Sequence, residues 1–334
     1  MNDVYSSRPD RLGFARCALA MFCATLALAP RTAAAQAWPN KPLRLIVPFG
    51  AGSTADIIAR LVGTTLSKDL GQQVNVENRP GAAGTIGGAE AARAAPDGHT
   101  LVLGTVASHG TGTLMMANVS YDPVKDFQAI TLITNAPGLI AVHSSLPARS
   151  LKDLVAIARR DPNLNYTSSG PGTTTHLAGE FMWSRSDVKV THVPYKAAGQ
   201  AITDFVGGHV PIMIYAIPAL RPFIDSGKIR PIAVTSVKRV PSLPTVPTVG
   251  ETLIPGFDFT AWFGIMAPAG TPRPIIDRVH KSILAAMETP ELKQQFAAQG
   301  LEPVGMGPDE FQAFMKLDLV RWREVIAKAG IKAE

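Results

Sequence analysis

From residue 43 onward the chain alternates short apolar runs with amphipathic stretches, and this alternation restricts its fold more than any other feature. "LRLIVPF" (43 to 49) reads as a buried strand. Ile57, Ile58, Leu61, Val62 and Leu66 then recur at the spacings of one helix face. "QVNVEN" is a second strand, the glycine-rich "RPGAAGTIGG" leads into a helix through "AEAARAA", and "HTLVLG" (99 to 104) is a third strand. The pattern resumes with helix "SLKDLVAIARR", strand "LNYTSS", helix "HLAGEFMW", strand "VTHVPY" and helix "AITDFVG". Strands "VPIMIYA" and "IRPIAVTS" flank the helical "ALRPFIDSG". Repetition of this kind predicts an α/β protein with parallel sheets covered by helices on both faces.

Two stretches break the alternation. "LITNAPGLIAVHSSLP", around 132 to 148, is an apolar run interrupted by proline and glycine; the second, around 241 to 270, is proline-rich with an aromatic centre. The portion between them has an ordinary domain size. Read as two crossings between lobes, they predict a discontinuous first lobe, 38–137 plus 258–334, and a second lobe, 138–257. The chain ends in two amphipathic helices, "PRPIIDRVHKSILAAME" and "PDEFQAFMKLDLVRWREVIAKAG", with Gly330 placed to stop the last.

The first 37 residues stand apart. Arg8, Arg11 and Arg16 precede the uncharged "CALAMFCATLALA" (17 to 29), and "PRTAAAQAW" follows with small residues at Ala33, Ala35 and Ala37. A charged start, a short apolar middle and an A-x-A exit predict a secretory signal cut near 35–38 and a periplasmic destination. The apolar run is shorter than the roughly 20 residues a membrane-spanning helix needs. Both cysteines, Cys17 and Cys23, fall inside this segment, so the mature chain is expected to lack disulfides, a thiol nucleophile and Cys-ligated zinc. Without the segment, net charge falls from +6 to +4, and no basic run suggests nucleic acid.

Three strand-to-helix turns carry the chemistry. In "VPFGAGSTADIIARLV" (47 to 62), Gly50 and Gly52 allow a sharp bend, and Ser53 and Thr54 stand where the helix begins. The first amides of a helix lack intrahelical acceptors and sit at the positive end of its dipole, so such an end suits an anion. Ser53 with Asp56 also resembles a capping box, which would serve only the helix. In "NYTSSGPGTTTHLAGEF" (165 to 181), Ser168, Ser169, Thr173, Thr174 and Thr175 crowd around Gly170 and Gly172, and His176 opens the helix. "VPYKAAGQAITDF" (193 to 205) sets Tyr195 and Lys196 before a third such turn. In open α/β sheets ligands lie beyond the carboxyl ends of the strands, so all three turns are expected to face one interlobe cleft.

No turn carries G-x-x-x-x-G-K-[ST], and "GAAGTIGG" lacks the spacing of a dinucleotide fingerprint. A carboxylate suits these turns better, because backbone amides and hydroxyls can hold it. There is no G-x-S-x-G elbow and no H-E-x-x-H, and the seven histidines occur singly. Ser168 or Ser169 with His176 could imitate a hydrolase nucleophile and base, but no orienting acid is evident. No cofactor and no metal are expected.

Several segments, taken in order, resemble the tripartite tricarboxylate transporter receptor family, the Bug-type periplasmic solute-binding proteins. They are "WPNKPLRLIVPFGAGSTAD", "VENRPGAAGTIGGAEAARAAPDGHTLVLG", "YDPVKDF", "SSGPGTTTHLAGE", "VPYKAAGQAITDFVGGHV", "AWFGIMAPAGTPRPIID" and "GLEPVGMGPDEF", spread over nearly all of 38 to 334. The resemblance implies a type II periplasmic-binding fold, with a mixed, mostly parallel sheet and flanking helices in each lobe and a small carboxylate enclosed between the lobes. It implies delivery to the membrane permease subunits of a tripartite tricarboxylate transporter, or signalling to a sensor kinase, by a monomer that is not an enzyme.

By position, Phe49, Gly50, Ala51, Gly52, Ser53, Thr54 and Asp56 match the family's first ligand loop, with Asp56 where the amine of an amino-acid ligand would lie. Ser168, Ser169, Gly170, Gly172, Thr173 and His176 match its carboxylate loop, and Tyr195, Lys196, Ala197, Ala198 and Asp204 its third. The chain departs from the family at Ser53, where a second glycine is common, and at Ala197 and Gln200 in place of glycine and proline. It departs again at Ile214 and Tyr215, where phenylalanine and aspartate are common. Tyr215 either favours a larger, ring-bearing acid or packs against the sheet.

Overall fold

Leu43, Leu45, Ile46 and Val47 have no exposed surface, as a strand covered on both faces requires. The computed structural model describes residues 38–195 and 198–329; the expected signal segment, Lys196, Ala197 and Gly330 lie outside the described residues. The first elements are β1 (Leu43–Val47), α1 (Thr54–Leu70), β2 (Val74–Asn78), α2 (Thr85–Ala92) and β3 (Thr100–Thr105). β1 pairs in parallel with β2 on one side and β3 on the other. α1 buries Ala55, Ile58, Ala59, Val62, Leu66 and Leu70. Ile57 and Leu61, expected on that face, are only half-buried, because the helix is rolled toward its alanines.

α2 starts earlier than the composition suggested and runs through Gly87 and Gly88. A Cβ on Gly87 would lie 2.9 Å from Pro48, and one on Gly88 would lie 2.6 Å from the Tyr121 hydroxyl. The helix therefore lies close against the β1 exit, and close packing outweighs the roughly 1 kcal/mol helical penalty of each glycine.

β4 (Phe127–His143) is a single strand of 17 residues, where the sequence suggested a broken run. Phe127 to Pro137 pair antiparallel with β9 (Thr260–Pro268), and Gly138 to Val142 pair with β7 (Ile212–Ala216). The proline thus stands where one partner is left and the next is met, the place in a long strand where a missing N–H does least harm. There follow α3 (Leu151–Arg160), β5 (Asn165–Thr167), α4 (Thr174–Arg185), β6 (Thr191–His192), α5 (Ala198–Val206), β7 (Ile212–Ala216), α6 (Ile217–Asp225) and β8 (Ile229–Val234). β5 pairs in parallel with both β6 and β7. After β9 (Thr260–Pro268) come α7 (Arg273–Met287), α8 (Pro290–Gln299), β10 (Glu302–Met306) and α9 (Pro308–Ala329).

The sheet order is β2-β1-β3-β9-β4-β7-β5-β6, with β8 and β10 also on β4. Its two ends are parallel, as the strand–helix alternation predicts, whereas every ladder involving β4 or β9 is antiparallel. The expectation of mostly parallel pairing thus holds only away from the centre. β4 and β9 run in opposite directions through the centre of the sheet and pair with each other along most of β9.

The sequence reading missed α8 and β10. Their signals are local: Thr289 caps α8 by accepting from the Leu292 amide, and Gly300 ends it at φ 70°.

α9 is fastened by Asp318. One of its carboxylate oxygens accepts from both Trp262 Nε1 (2.7 Å) and Trp322 Nε1 (3.1 Å). Burial raises the pKa of this carboxyl; the indole bonds and nearby Arg321 oppose the rise without cancelling it. Asp318→Ala would leave two buried indole donors without an acceptor, at about 1–3 kcal/mol each. Urea denaturation should show a loss of about 2–6 kcal/mol. An undiminished midpoint would mean that packing alone holds α9.

Candidate functional site

The turn after β1 is tied from a distance. Asn78, at the end of β2, donates to Phe49 O (2.9 Å) and to Asp56 Oδ1 (3.0 Å). Asp56 also accepts from the Gly52 amide (3.0 Å) and from Arg60 Nε (3.1 Å). Burial alone would raise this carboxyl, but the bonds from Arg60, Gly52 and Asn78 outweigh it and hold its pKa below the ordinary value. Ser53 caps α1 by accepting from the Asp56 amide (3.3 Å), while the Asp56 carboxylate bonds Gly52 rather than Ser53. The expected reciprocal box is therefore displaced by one residue.

These bonds, with Ser53 N to Gly50 O (3.2 Å), occupy the amides of Gly52, Ser53 and Asp56. Thr54 and Ala55, at the first two helical positions, have no intrahelical acceptor for their amides. Thr54 Oγ1 is buried and has no hydrogen-bond partner among the described residues.

The turn after β5 is held by its own hydroxyls. Thr173 Oγ1 donates to Gly170 O (2.7 Å), accepts from the His176 amide (3.4 Å) and pairs with Thr175 Oγ1 (3.1 Å). Thr175 Oγ1 in turn accepts from the Ser169 amide (3.1 Å). Gly172 takes φ 73°, the left-handed region that favours glycine, and a Cβ there would press on the tip of the Met116 side chain. Behind the turn, His176 stacks on His192 with ring centroids 4.3 Å apart. Ser168 Oγ bonds His192 Nε2 at 2.9 Å. Burial, then the neighbouring His176, lowers the pKa of His192 to about 3, so it is neutral at neutral pH.

The two turns meet at an inner chamber of about 50 Å³, lined from the β1 turn by Phe49, Ser53, Thr54 and Ala55 and from the β5 turn by Ser169 and Thr173 to Thr175. Burial raises the Tyr215 hydroxyl to about 12, with Ser169 opposing, and Tyr215 lines the same chamber. A wider outer chamber of about 620 Å³ shares Phe49 and Ser169 with the inner one and adds Gly50, Ser168, Gly170, Tyr195 and Ala198. The third turn thus reaches only the outer chamber. There Tyr195 donates to Asp204 Oδ2 (2.8 Å), and burial and then Asp204 raise its pKa to about 12. Among the described residues lining either chamber, none carries a formal charge.

Of the residues singled out from the sequence, Ala51, Gly52, Asp56, Gly172, His176 and Asp204 line neither chamber. Asp56 braces the first turn and His176 backs the second, where its Nδ1 accepts from the Gly172 amide (3.3 Å). Lys196 and Ala197 lie outside the described residues. The sequence reading missed Thr105, which ends β3, and Val106 and Ala107 after it, all of which line the inner chamber. Their signal was available, since they too follow the carboxyl end of a parallel strand. It also missed Ala136 of β4, Ala261 and Phe263 of β9 and Phe259 just before β9, and no local motif marks them.

The sequence matches the profile of the tripartite tricarboxylate transporter family receptor over residues 58–331. It is 33% identical over 316 residues to Protein BugT of Bordetella pertussis, covering 94% of this chain and 97% of the relative. Among solved structures it is similar to R. palustris Rpa4515 with adipate, at TM-score 0.85 and 35% identity, covering 88% of this chain and 99% of the other. The periplasmic binding protein BugD aligns at TM-score 0.84 and 32% identity, covering 89% of this chain and 100% of the other.

Asp56→Asn should loosen the first turn. Because the folded pKa is depressed, the carboxylate contributes stability above its unfolded pKa of about 3.9 and loses it as pH falls through the folded value. The Tm difference between the parent and the variant should be full at pH 7 and close on acidification below pH ~4. A difference that does not change with pH would assign the effect to shape rather than charge.

Proposed function

The chain belongs to the tripartite tricarboxylate transporter receptor family, and from that premise we propose that it is an exported, periplasmic receptor for a small organic carboxylate. The ligand is held in the inner chamber and passed to a membrane permease of the tripartite tricarboxylate type; the protein performs no chemistry on it. One observation carries this reading. Two helix N-termini, of α1 and α4, open on one chamber that also holds the unpartnered Thr54 Oγ1. Each end presents roughly half a positive elementary charge, and together they compensate about one carboxylate without a cationic side chain.

In this reading the amides of Thr54, Ala55, Thr174 and Thr175 and the hydroxyls of Thr54 and Tyr215 face the carboxylate. Phe49 and Ser169 stand between the chambers, and Gly50, Ser168, Gly170, Tyr195 and Ala198 border the approach. Adipate in the R. palustris relative supports the ligand class. The lobes are 38–137 plus 258–334 and 138–257, and closure is a hinge motion where β4 and β9 cross. Micromolar affinity needs about −8 kcal/mol, within reach of several charge-assisted bonds of about 1.5–3 kcal/mol each after association costs.

Calorimetry on the mature protein with dicarboxylates, aromatic acids and amino acids should find a micromolar binder. Thr54→Val should then weaken it roughly tenfold to hundredfold, the equivalent of one charge-assisted bond. The Tm of the ligand-free protein should be unchanged or slightly raised, since the lost hydroxyl had no partner. No binding across the panel would refute the receptor reading.

A further inference from the structure

Resting on that receptor reading, we infer that Ala83, with Gly112 and Met116, forms a latch on the first lobe that grips Gly172 of the second. The latch thereby positions the α4 helix end over the carboxylate. A Cβ built on Gly172 would lie 3.4 Å from Ala83 Cβ, 3.7 Å from Gly112 Cα and 2.9 Å from the tip of Met116. Gly172 therefore faces all three. Ala83 and Met116 line the outer chamber, and none of the four residues lines the inner one. Gly172 stands immediately before Thr173, the cap of α4, and its amide donates to His176 Nδ1 (3.3 Å). Fixing Gly172 therefore fixes the first amides of α4 as well.

The backbone of the latch is unusual. Ala82 and Ala83 take φ 46° and 53°, a left-handed conformation that any Cβ disfavours. Such residues persist only where their surroundings over-determine them, and they gather at ligand clamps and switches. Here the surroundings belong to the first lobe. The Gly84 amide donates to Gly81 O (2.9 Å), and Thr85 Oγ1 donates to Ala82 O (2.8 Å). A Cβ on Gly84 would lie 3.2 Å from Pro48 Cβ and 3.3 Å from the Phe49 ring. The segment is thus shaped without help from the second lobe. Its shape sends the two alanines to different places. Ala82 is exposed, whereas the Ala83 methyl lies against both glycines, and a Cβ on Gly112 would lie only 2.7 Å from it. The gap accepts a methyl group and little more.

The consequence is for release rather than capture. Only the closed cleft brings both helix ends to one carboxylate, so apparent affinity scales with the fraction of molecules that close. A contact between lobes that exists only on closure adds to that fraction. It slows dissociation without touching the carboxylate and leaves the encounter with the open cleft unchanged.

Ala83→Asn and Ala82→Asn in the mature protein make a matched test. Asparagine accepts the left-handed region better than alanine does, so neither should lower the Tm of the ligand-free protein. Only at position 83 does the longer side chain meet Gly172. The probe is the tightest binder among succinate, adipate, benzoate and aspartate. Ala83→Asn should raise its Kd roughly tenfold, nearly all in the dissociation rate by stopped flow, and Ala82→Asn by less than about twofold. Equal effects at the two positions, a parental Kd for Ala83→Asn, or a loss confined to association overturns the inference. A second arm needs no probe. Both cysteines of the sequence precede residue 38, so Ala83→Cys with Gly172→Cys adds the only thiols of the mature chain. Their Cβ separation of 3.4 Å is close to the roughly 3.5–4.5 Å of a disulfide. Oxidation should join them within one chain, seen as a mobility shift on a non-reducing gel; thiols that stay free in the folded variant overturn the latch. Silence from the whole carboxylate panel beside efficient cross-linking overturns the receptor reading and leaves the contact between lobes standing.

Discussion

Thr235 ties β4, at the place where it changes partners, to Phe259, the residue just before β9. Its amide donates to Gly138 O (2.8 Å), its hydroxyl accepts from the Gly138 amide (2.8 Å) and donates to Phe259 O (2.9 Å), and its carbonyl accepts from the Phe259 amide. Gly138 is required by this closeness, since a Cβ there would lie 2.8 Å from Thr235 Oγ1. Pro137 beside it ends the β9 ladder, and Gly138 begins the β7 ladder. With this junction in place, the carboxyl ends of β1, β3, β5 and β7 all deliver lining residues to one inner chamber.

The physical problem that the proposed site solves is to hold an anion away from water where, among the described residues, no cationic side chain lines its walls. Helix ends serve if their donors are fixed beforehand, because donors that must first be ordered consume binding free energy. The first turn is fixed by the Asn78–Asp56–Arg60 group, and the second by the Thr173 and Thr175 hydroxyls. Each clamp occupies some amides and leaves the first helical ones uncommitted. The polar residues around the site therefore divide into those that build it and those that face the chamber, and burial alone does not separate them. Asp56 and Thr54 are both 4% exposed, yet one has several partners and the other none.

Much of the outline was legible from local pattern. The buried runs of β1 and β3, the amphipathic α1 and α3 and the two glycine turns all follow from periodicity and from residues that accept unusual φ. Where the reading went astray, a tertiary contact had overruled a local rule. Gly87 and Gly88 continue a helix because Pro48 and Tyr121 press on it. β4 passes through Pro137 because its partners change there. His176, placed by resemblance at the ligand, turns inward onto His192 and the Gly172 amide.

The sequence by itself determined where helices begin and where the backbone bends. A cap such as Ser53 or Thr173 needs only an amide three residues ahead, and a left-handed glycine needs only its missing Cβ. Which turns face a common chamber, and what braces them, was decided by the tertiary structure, because some of the bracing partners come from far along the chain. Asn78 reaches Asp56 across 22 residues, and Thr235 reaches Gly138 across 97. Hydrogen-bond capacity is a property of single residues, but its satisfaction depends on neighbours that only folding brings together.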